Sequence, residues 1–176
     1  MNYGEIKFYD IADGAGVRTS LFVSGCRNCC EDCFNRETWS FSYGKPYTQE
    51  TENAIIESLK PDYIAGLSIL ITYLGGEPFE KENQPEVLKL VARAKKECPD
   101  KSVWIYSGFT FEELLGGSRA SGQTAEEILK LADVLVDGRF DKTKKNISLK
   151  FRGSENQRII DLKPSLLQKK AIIKEI

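Results

Sequence analysis

Short apolar runs alternate with segments of helical period along this 176-residue chain, and that alternation restricts it to a small set of architectures. Thr19–Ser24 (TSLFVS), Leu67–Leu74 (LSILITYL), Ser102–Tyr106 (SVWIY) and Val134–Val136 read as strands, with weaker strands at Ile147–Phe151 and Arg158–Asp161. Between them, Glu50–Leu59 places Ile55, Ile56 and Leu59 on one helical face. Pro85–Glu97 repeats Val87, Leu90, Val91 and Ala94 at helical spacing, with Asn83 set as its cap. Thr110 with Glu113, and Thr124 with Glu127, read as capping boxes that open two further helices, the second with a face of Ile128, Leu131 and Ala132.

Strands separated by helices give βα units and a largely parallel sheet. A closed eight-unit barrel takes about 250 residues. At roughly 30 residues per βαβ unit, this α/β chain holds about five or six units, as an open doubly wound sheet or as an incomplete (β/α) barrel. Active groups in both gather beyond the carboxyl ends of the strands. The cysteine-rich loop, Gly75-Gly76-Glu77-Pro78, Tyr106-Ser107-Gly108 and Asp137-Gly138 all fall there. The length predicts one domain.

The composition excludes several function classes. A formal net charge of −1, from 25 basic and 26 acidic residues, provides no general attraction to nucleic acid or to an anionic membrane. The longest apolar stretch is far shorter than the roughly 20 residues of a membrane span, and the first ten residues lack a secretory signal pattern. A cytoplasmic protein that binds neither nucleic acid nor membrane is expected. The chain has no histidine, so Ser-His and Cys-His nucleophilic machinery and mixed Cys/His zinc sites are excluded. Any soft-metal site must be made of cysteine.

There are five cysteines, four of them within Cys26–Cys33. An odd number packed this closely is a poor disulfide framework. A structural zinc site usually joins two Cys-x-x-Cys knuckles across a long spacer, which this loop lacks. Three cysteines in a tight loop suit a four-iron cluster and leave one iron without a protein ligand, an open position at which chemistry can occur. Spacing alone permits two triplets: Cys26, Cys30, Cys33 or Cys26, Cys29, Cys33. Cys98 and the two tryptophans, Trp39 and Trp104, read as core residues.

The Cys-x3-Cys-x2-Cys pattern of Cys26, Cys30 and Cys33 resembles the loop of the radical S-adenosylmethionine superfamily, and selects that triplet. The similarity narrows in Asp13-Gly14-Ala15-Gly16-Val17-Arg18, Ser20-Leu21-Phe22-Val23-Ser24-Gly25-Cys26, Val136-Asp137-Gly138 and Phe151-Arg152-Gly153-Ser154-Glu155-Asn156-Gln157-Arg158. Together these resemble the activating components of anaerobic ribonucleotide reductase, over residues 3 to 161, which implies an activase domain at 1–161 and an unmatched tail over 162–176. The resemblance implies a partial barrel, a 4Fe-4S cluster and S-adenosyl-L-methionine. Reductive cleavage of that cofactor would yield a 5′-deoxyadenosyl radical that takes hydrogen from a glycine of the large catalytic subunit of the reductase. It also implies a low-potential, flavodoxin-like electron donor.

No general acid or base is assigned. The cofactor would lie against Asp32, Cys33, Phe34, Gly75, Gly76, Glu77 and Ser107, with Asn156 and Arg158 either beside it or holding the sheet edge. The superfamily often has an aromatic residue before the third cysteine; here Asp32 stands there and Phe34 follows. Activation of another glycyl-radical enzyme of the formate-lyase type, or a non-catalytic zinc module, are the alternative readings.

Overall fold

The computed structural model describes residues 1–31, 33, 35–70 and 75–176. Its strands are β1 (Asn2–Asp10), β2 (Val17–Val23), β3 (Lys45–Pro46), β4 (Ile64–Leu70), β5 (Ser102–Tyr106), β6 (Val134–Asp137) and β7 (Arg158–Asp161). Its helices are α1 (Gln49–Leu59), α2 (Gln84–Glu97), α3 (Phe111–Leu115), α4 (Gln123–Leu131) and α5 (Leu162–Gln168). The strands form one mixed sheet in the order β3-β1-β2-β4-β5-β6-β7, open at both edges.

The parallel core is β2, β4, β5 and β6, in chain order, with β2 register Leu21↔Ile69 and β5 register Ile69↔Ile105 on either side of β4. A right-handed crossover places its helix on a fixed face, so a strand order that advances in one direction puts every helix on the same side. The packing agrees: α1 meets α2, α2 meets α4, and α4 meets α5. The sheet is therefore singly wound, without the reversal of strand order that defines a doubly wound fold. Four parallel strands are fewer than the five or six units the length suggested. β1 runs antiparallel to β2, and β7 antiparallel to β6, so both ends of the chain return along the sheet instead of adding a unit.

Between sheet and helices lies the main core. Ile55, Ile56 and Leu59 of α1, Val87, Leu90, Val91 and Ala94 of α2, and Ile128 and Leu129 of α4 pack there on Leu21, Leu67, Ile69, Val103, Ile105 and Leu135. Cys98 belongs to this core. The opposite sheet face carries Phe22, Leu70, Trp104, Tyr106, Val134, Val136 and Ile159, backed by Phe151. Across it lies the loop after β1. Ser68 Oγ donates to the Asp13 carbonyl at 2.6 Å, and Arg18 Nη1 to the Ala15 carbonyl at 3.2 Å. Arg18 is completely buried, and its guanidinium also reaches Ser68 Oγ, Ser102 Oγ and the Leu67 and Ser102 carbonyls.

Several local expectations change. Residues 71–74, the second half of the strand expected from Leu67, fall outside the described residues, and the strand begins earlier, at Ile64. Thr110 and Glu113 form their capping box, but Thr124 does not cap: α4 starts at Gln123 behind Gly122, which places Thr124 inside the helix. Asn83 makes no side-chain cap for α2; its amide instead donates to the Ser24 and Glu77 carbonyls, both at 2.9 Å. Ile147–Phe151 is not a strand. Ile147 is 91% exposed and Phe151 has a positive φ of 57°, so the segment has no buried face to pair. The tail includes α5, and returns along β7 through the Lys174 N–H on the Ile159 carbonyl at 2.8 Å.

Candidate metal centre at the cysteine loop

β2 ends at Val23, and the cysteine loop leaves it at the carboxyl edge of the parallel strands. Gly25 turns the chain at φ 93°, where any Cβ would overlap the Phe41 ring. From there the loop is held at both ends by the 3₁₀ turn Arg36–Trp39. Gly25 N–H donates to the Thr38 carbonyl at 2.8 Å and Cys26 N–H to the Trp39 carbonyl at 3.1 Å. The Trp39 indole N–H points to Cys33 Sγ at 3.3 Å. Trp39 is thus half-buried at the loop, whereas the sequence suggested only a core residue.

The middle of the loop is tied to the chain beyond β4. Arg27 N–H and its guanidinium both reach Glu80, at 2.8 and 3.1 Å, and Arg119 reaches Glu80 at 2.8 Å and Asn28 Oδ1 at 2.7 Å. The Glu80 carboxylate is buried between these two cations, and although burial works against its charge, their hydrogen bonds hold its pKa below the usual range.

Cys26, Cys30 and Cys33 are half-buried, and all five cysteines are free thiols. Burial pushes the Cys26 thiol up to about 12, with Glu77 and Cys30 adding to the effect. Burial also raises Cys30, and the neighbouring Cys33 raises it further, against the pull of Arg139. Cys26 thus lies in the field of Cys30, and Cys30 in that of Cys33. Cys29 is exposed, at a left-handed φ of 45°. Among the described residues no three Cys, Asp or Glu side chains stand close enough to hold a single metal ion. A four-iron cluster requires a different spacing, because each thiolate binds its own iron.

The residues fit such a cluster on three counts. The donor set is thiol alone. Burial and neighbouring thiols disfavour the thiolates of Cys26 and Cys30, an effect that a bound metal cation reverses. An N–H donor already addresses one sulfur, the kind of contact that stabilises cluster-bound cysteine.

Four of the expected cofactor contacts, Gly75, Gly76, Glu77 and Ser107, have partners within the protein. Gly75 and Gly76 pack on the protein's own backbone: a Cβ at Gly76 would collide with Gly25, and one at Gly75 would lie 2.5 Å from the Leu70 carbonyl. Gly76 N–H bonds the Val23 carbonyl, Glu77 N–H the Gly25 carbonyl at 2.8 Å, and Thr38 Oγ1 donates to the Gly75 carbonyl at 3.1 Å.

Glu77 and Ser107 face each other at 2.9 Å, both completely buried. The Glu77 carboxylate also accepts from Phe79 N–H at 3.0 Å, Gly108 N–H at 2.8 Å and the Asn28 amide at 3.2 Å. Burial pushes its pKa up to about 7 despite these donors. Glu77 thereby joins the cysteine loop to the loops after β4 and β5. Asp32 and Phe34 lie outside the described residues.

Arg158 holds the sheet end, with Nε on Asp137 at 3.0 Å and Nη2 on Glu112 at 2.7 Å. Asn156 donates to the Arg139 carbonyl at 2.8 Å. It also lines a groove of about 370 Å³ with Glu31, Arg139, Phe140, Asp141, Lys142 and Thr143, directly beside the cysteine loop. The sequence pattern did not reveal Glu80, Asn83 or Arg119 as supports of the loop, because the groups they hold there, on Arg27, Ser24 and Asn28, lie 53 to 91 positions away.

Comparison with known proteins extends these observations. The family profile of a 4Fe-4S single cluster domain matches residues 12–160. The chain is 42% identical over 157 residues to the anaerobic ribonucleoside-triphosphate reductase-activating protein of Vibrio cholerae, which covers 89% of this chain and 96% of that protein. It is 39% identical to the Escherichia coli K12 protein of the same name, over 89% and 96% of the two chains. The bacteriophage T4 protein of that name is 36% identical over 159 residues, 90% and 93% of the two. A 4Fe-4S domain and similarity along nearly the full length of these relatives place the chain in the family of anaerobic ribonucleoside-triphosphate reductase-activating proteins.

Proposed function

We propose that this chain activates an anaerobic ribonucleoside-triphosphate reductase by cleaving S-adenosyl-L-methionine at a 4Fe-4S cluster held by Cys26, Cys30 and Cys33, so that a glycine of the large catalytic subunit becomes a radical. The observation that carries the reading is the cysteine loop. It presents Cys26, Cys30 and Cys33 at the carboxyl edge of the parallel sheet, with the pKa values of Cys26 and Cys30 raised by burial and by a neighbouring thiol, in a chain that shares nearly its full length with activating proteins. When bound, a reduced cluster with one iron free of protein ligands supplies a single electron to the sulfonium of the cofactor, and with it homolytic chemistry able to take hydrogen from a glycine Cα.

The protein's own part is positional. The turn Arg36–Trp39 fixes both ends of the loop, and Glu80, between Arg27 and Arg119, fixes its middle. Gly75 and Gly76 bring their backbone against Gly25, where the amino end of the cofactor is assigned, and Glu77 and Ser107 brace that segment from beneath. The groove lined by Glu31, Arg139 and Asn156 is in the size range of small-ligand pockets, and its Arg139 cation acts on Cys30. Asp32 and Phe34 are assigned to the same cofactor. A singly wound sheet, open at both edges, is an incomplete (β/α) barrel in this reading, and its open side admits a segment of a larger protein. A low-potential, flavodoxin-like protein is the assigned electron donor.

The test is anaerobic reconstitution with iron and sulfide, followed by reduction in the presence of S-adenosyl-L-methionine and the reductase. The expected result is iron-dependent absorbance, 5′-deoxyadenosine formation and a glycyl radical signal in the partner. Zinc near one per chain without iron absorbance, or cofactor cleavage that leaves the reductase without a radical, overturns it.

A further inference from the structure

We infer that Trp39 tunes the reduction potential of the cluster through its indole N–H on Cys33 Sγ; this rests on the cluster assignment proposed above. The indole nitrogen is a donor only, so the 3.3 Å contact has one direction: Trp39 gives, sulfur accepts. The same residue accepts Cys26 N–H on its carbonyl at 3.1 Å, so it grips the first and third cysteines of the triplet together. Its position is set by the 3₁₀ turn. There the single proton of the buried Thr38 hydroxyl is shared between the Asn35 carbonyl at 2.8 Å and the Gly75 carbonyl at 3.1 Å. The Arg36 guanidinium lies 5.7 Å from the Trp39 ring centre and donates to the Glu31 carbonyl at 2.8 Å, which places a cation over the donor's ring.

Adding an electron to a cluster increases the negative charge on its sulfurs. A fixed N–H donor at sulfur therefore binds the reduced state more tightly than the oxidised state and raises the potential. Trp39 is a positioning residue by this argument: it touches a ligand of the cluster and eases its reduction, without contacting the reacting carbon.

The test is Trp39→Phe, which keeps an aromatic ring in place and leaves the backbone bond to Cys26 intact. The cluster-loaded protein is titrated anaerobically without S-adenosyl-L-methionine and followed by electron paramagnetic resonance. At a fixed applied potential the reduced-to-oxidised ratio should fall by up to about tenfold, since only the difference in the bond's strength between the two states counts; tenfold is equivalent to about 59 mV for one electron. Iron content should match the wild type. Normal iron content with an unchanged ratio overturns the role of Trp39, while absence of iron from the wild-type protein overturns the cluster assignment itself.

Should the variant fail to load iron, the wild-type contact is read directly in Trp104→Phe protein labelled with ¹⁵N in its remaining indole. Hyperfine coupling of that nitrogen to the reduced cluster, with a proton that exchanges in D₂O, is expected. Its absence refutes the inference.

Discussion

Replacing Glu77 by Gln separates a bracing residue from a ligand-facing one. The carboxylate is completely buried and takes four donors, two on each oxygen: Phe79 N–H and Ser107 Oγ on one, Gly108 N–H and the Asn28 amide on the other. Ser107 and Asn28 can turn their side chains, but Phe79 N–H and Gly108 N–H are fixed by the backbone. A glutamine presents one oxygen and one amino group, so whichever way it sits, one fixed N–H faces another donor. A buried donor left without an acceptor costs about 1–3 kcal/mol. Glu77→Ala orphans both fixed donors, for about 2–6 kcal/mol.

The assay is urea unfolding of the metal-free protein at pH 8, above the value of about 7 to which burial lifts the carboxyl, so that the group is ionised in folded and unfolded chains alike. The expected order is wild type, then Gln, then Ala, with the second step as large as the first. If Glu77 instead faced an open cofactor site, neither change would orphan a protein group. Both would then fall within the ±0.5 kcal/mol typical of positions without such bonds, or would stabilise the fold by removing a buried charge. That result would refute the bracing argument.

Cys30→Ala should lose the iron of the reconstituted protein, whereas Cys29→Ala, at an exposed left-handed position, should retain it; iron and sulfide analysis decides, and the reverse pattern would select the other triplet. Burial, with the hydrogen-bonded and negatively charged Asp10 beside it, lifts the Asp13 carboxyl to about 7. The folded chain thus holds a proton that the unfolded chain releases near the ordinary aspartate value of about 3.9, and stability is lost as pH rises from about 4 through 7. Asp13→Asn should flatten that decline in urea midpoints, and parallel curves would refute it. Arg18→Met should cost roughly 3–5 kcal/mol in urea unfolding, because the two hydroxyls and three carbonyls that the guanidinium satisfies would lose their donor. A loss under about 1 kcal/mol would mean that dehydrating the cation costs nearly what its bonds return.

Local periodicity made most of the helical layer legible. Ile55, Ile56 and Leu59, and Val87, Leu90, Val91 and Ala94, are buried as their spacing requires, and β5 spans the residues its apolar run marked. The strand-to-loop junction at Cys26 was legible for the same reason, since a run of apolar residues ends at a glycine. β1 was not, because its residues alternate irregularly between half-buried and exposed, and only pairing with β2 makes them a strand.

The sequence by itself thus determined an α/β chain with a four-cysteine loop at a strand end and no histidine to compete for its metal. Tertiary structure alone decided that the helices share one face, that Trp39 addresses Cys33, and that Glu77 and Ser107 bond each other. The physical reason is distance along the chain. A helix face is set by neighbours three or four residues apart, whereas Glu77 meets its donors 2 to 49 positions away and Arg18 reaches Ser102 across 84. Such partners are chosen only when the sheet order brings their strands together.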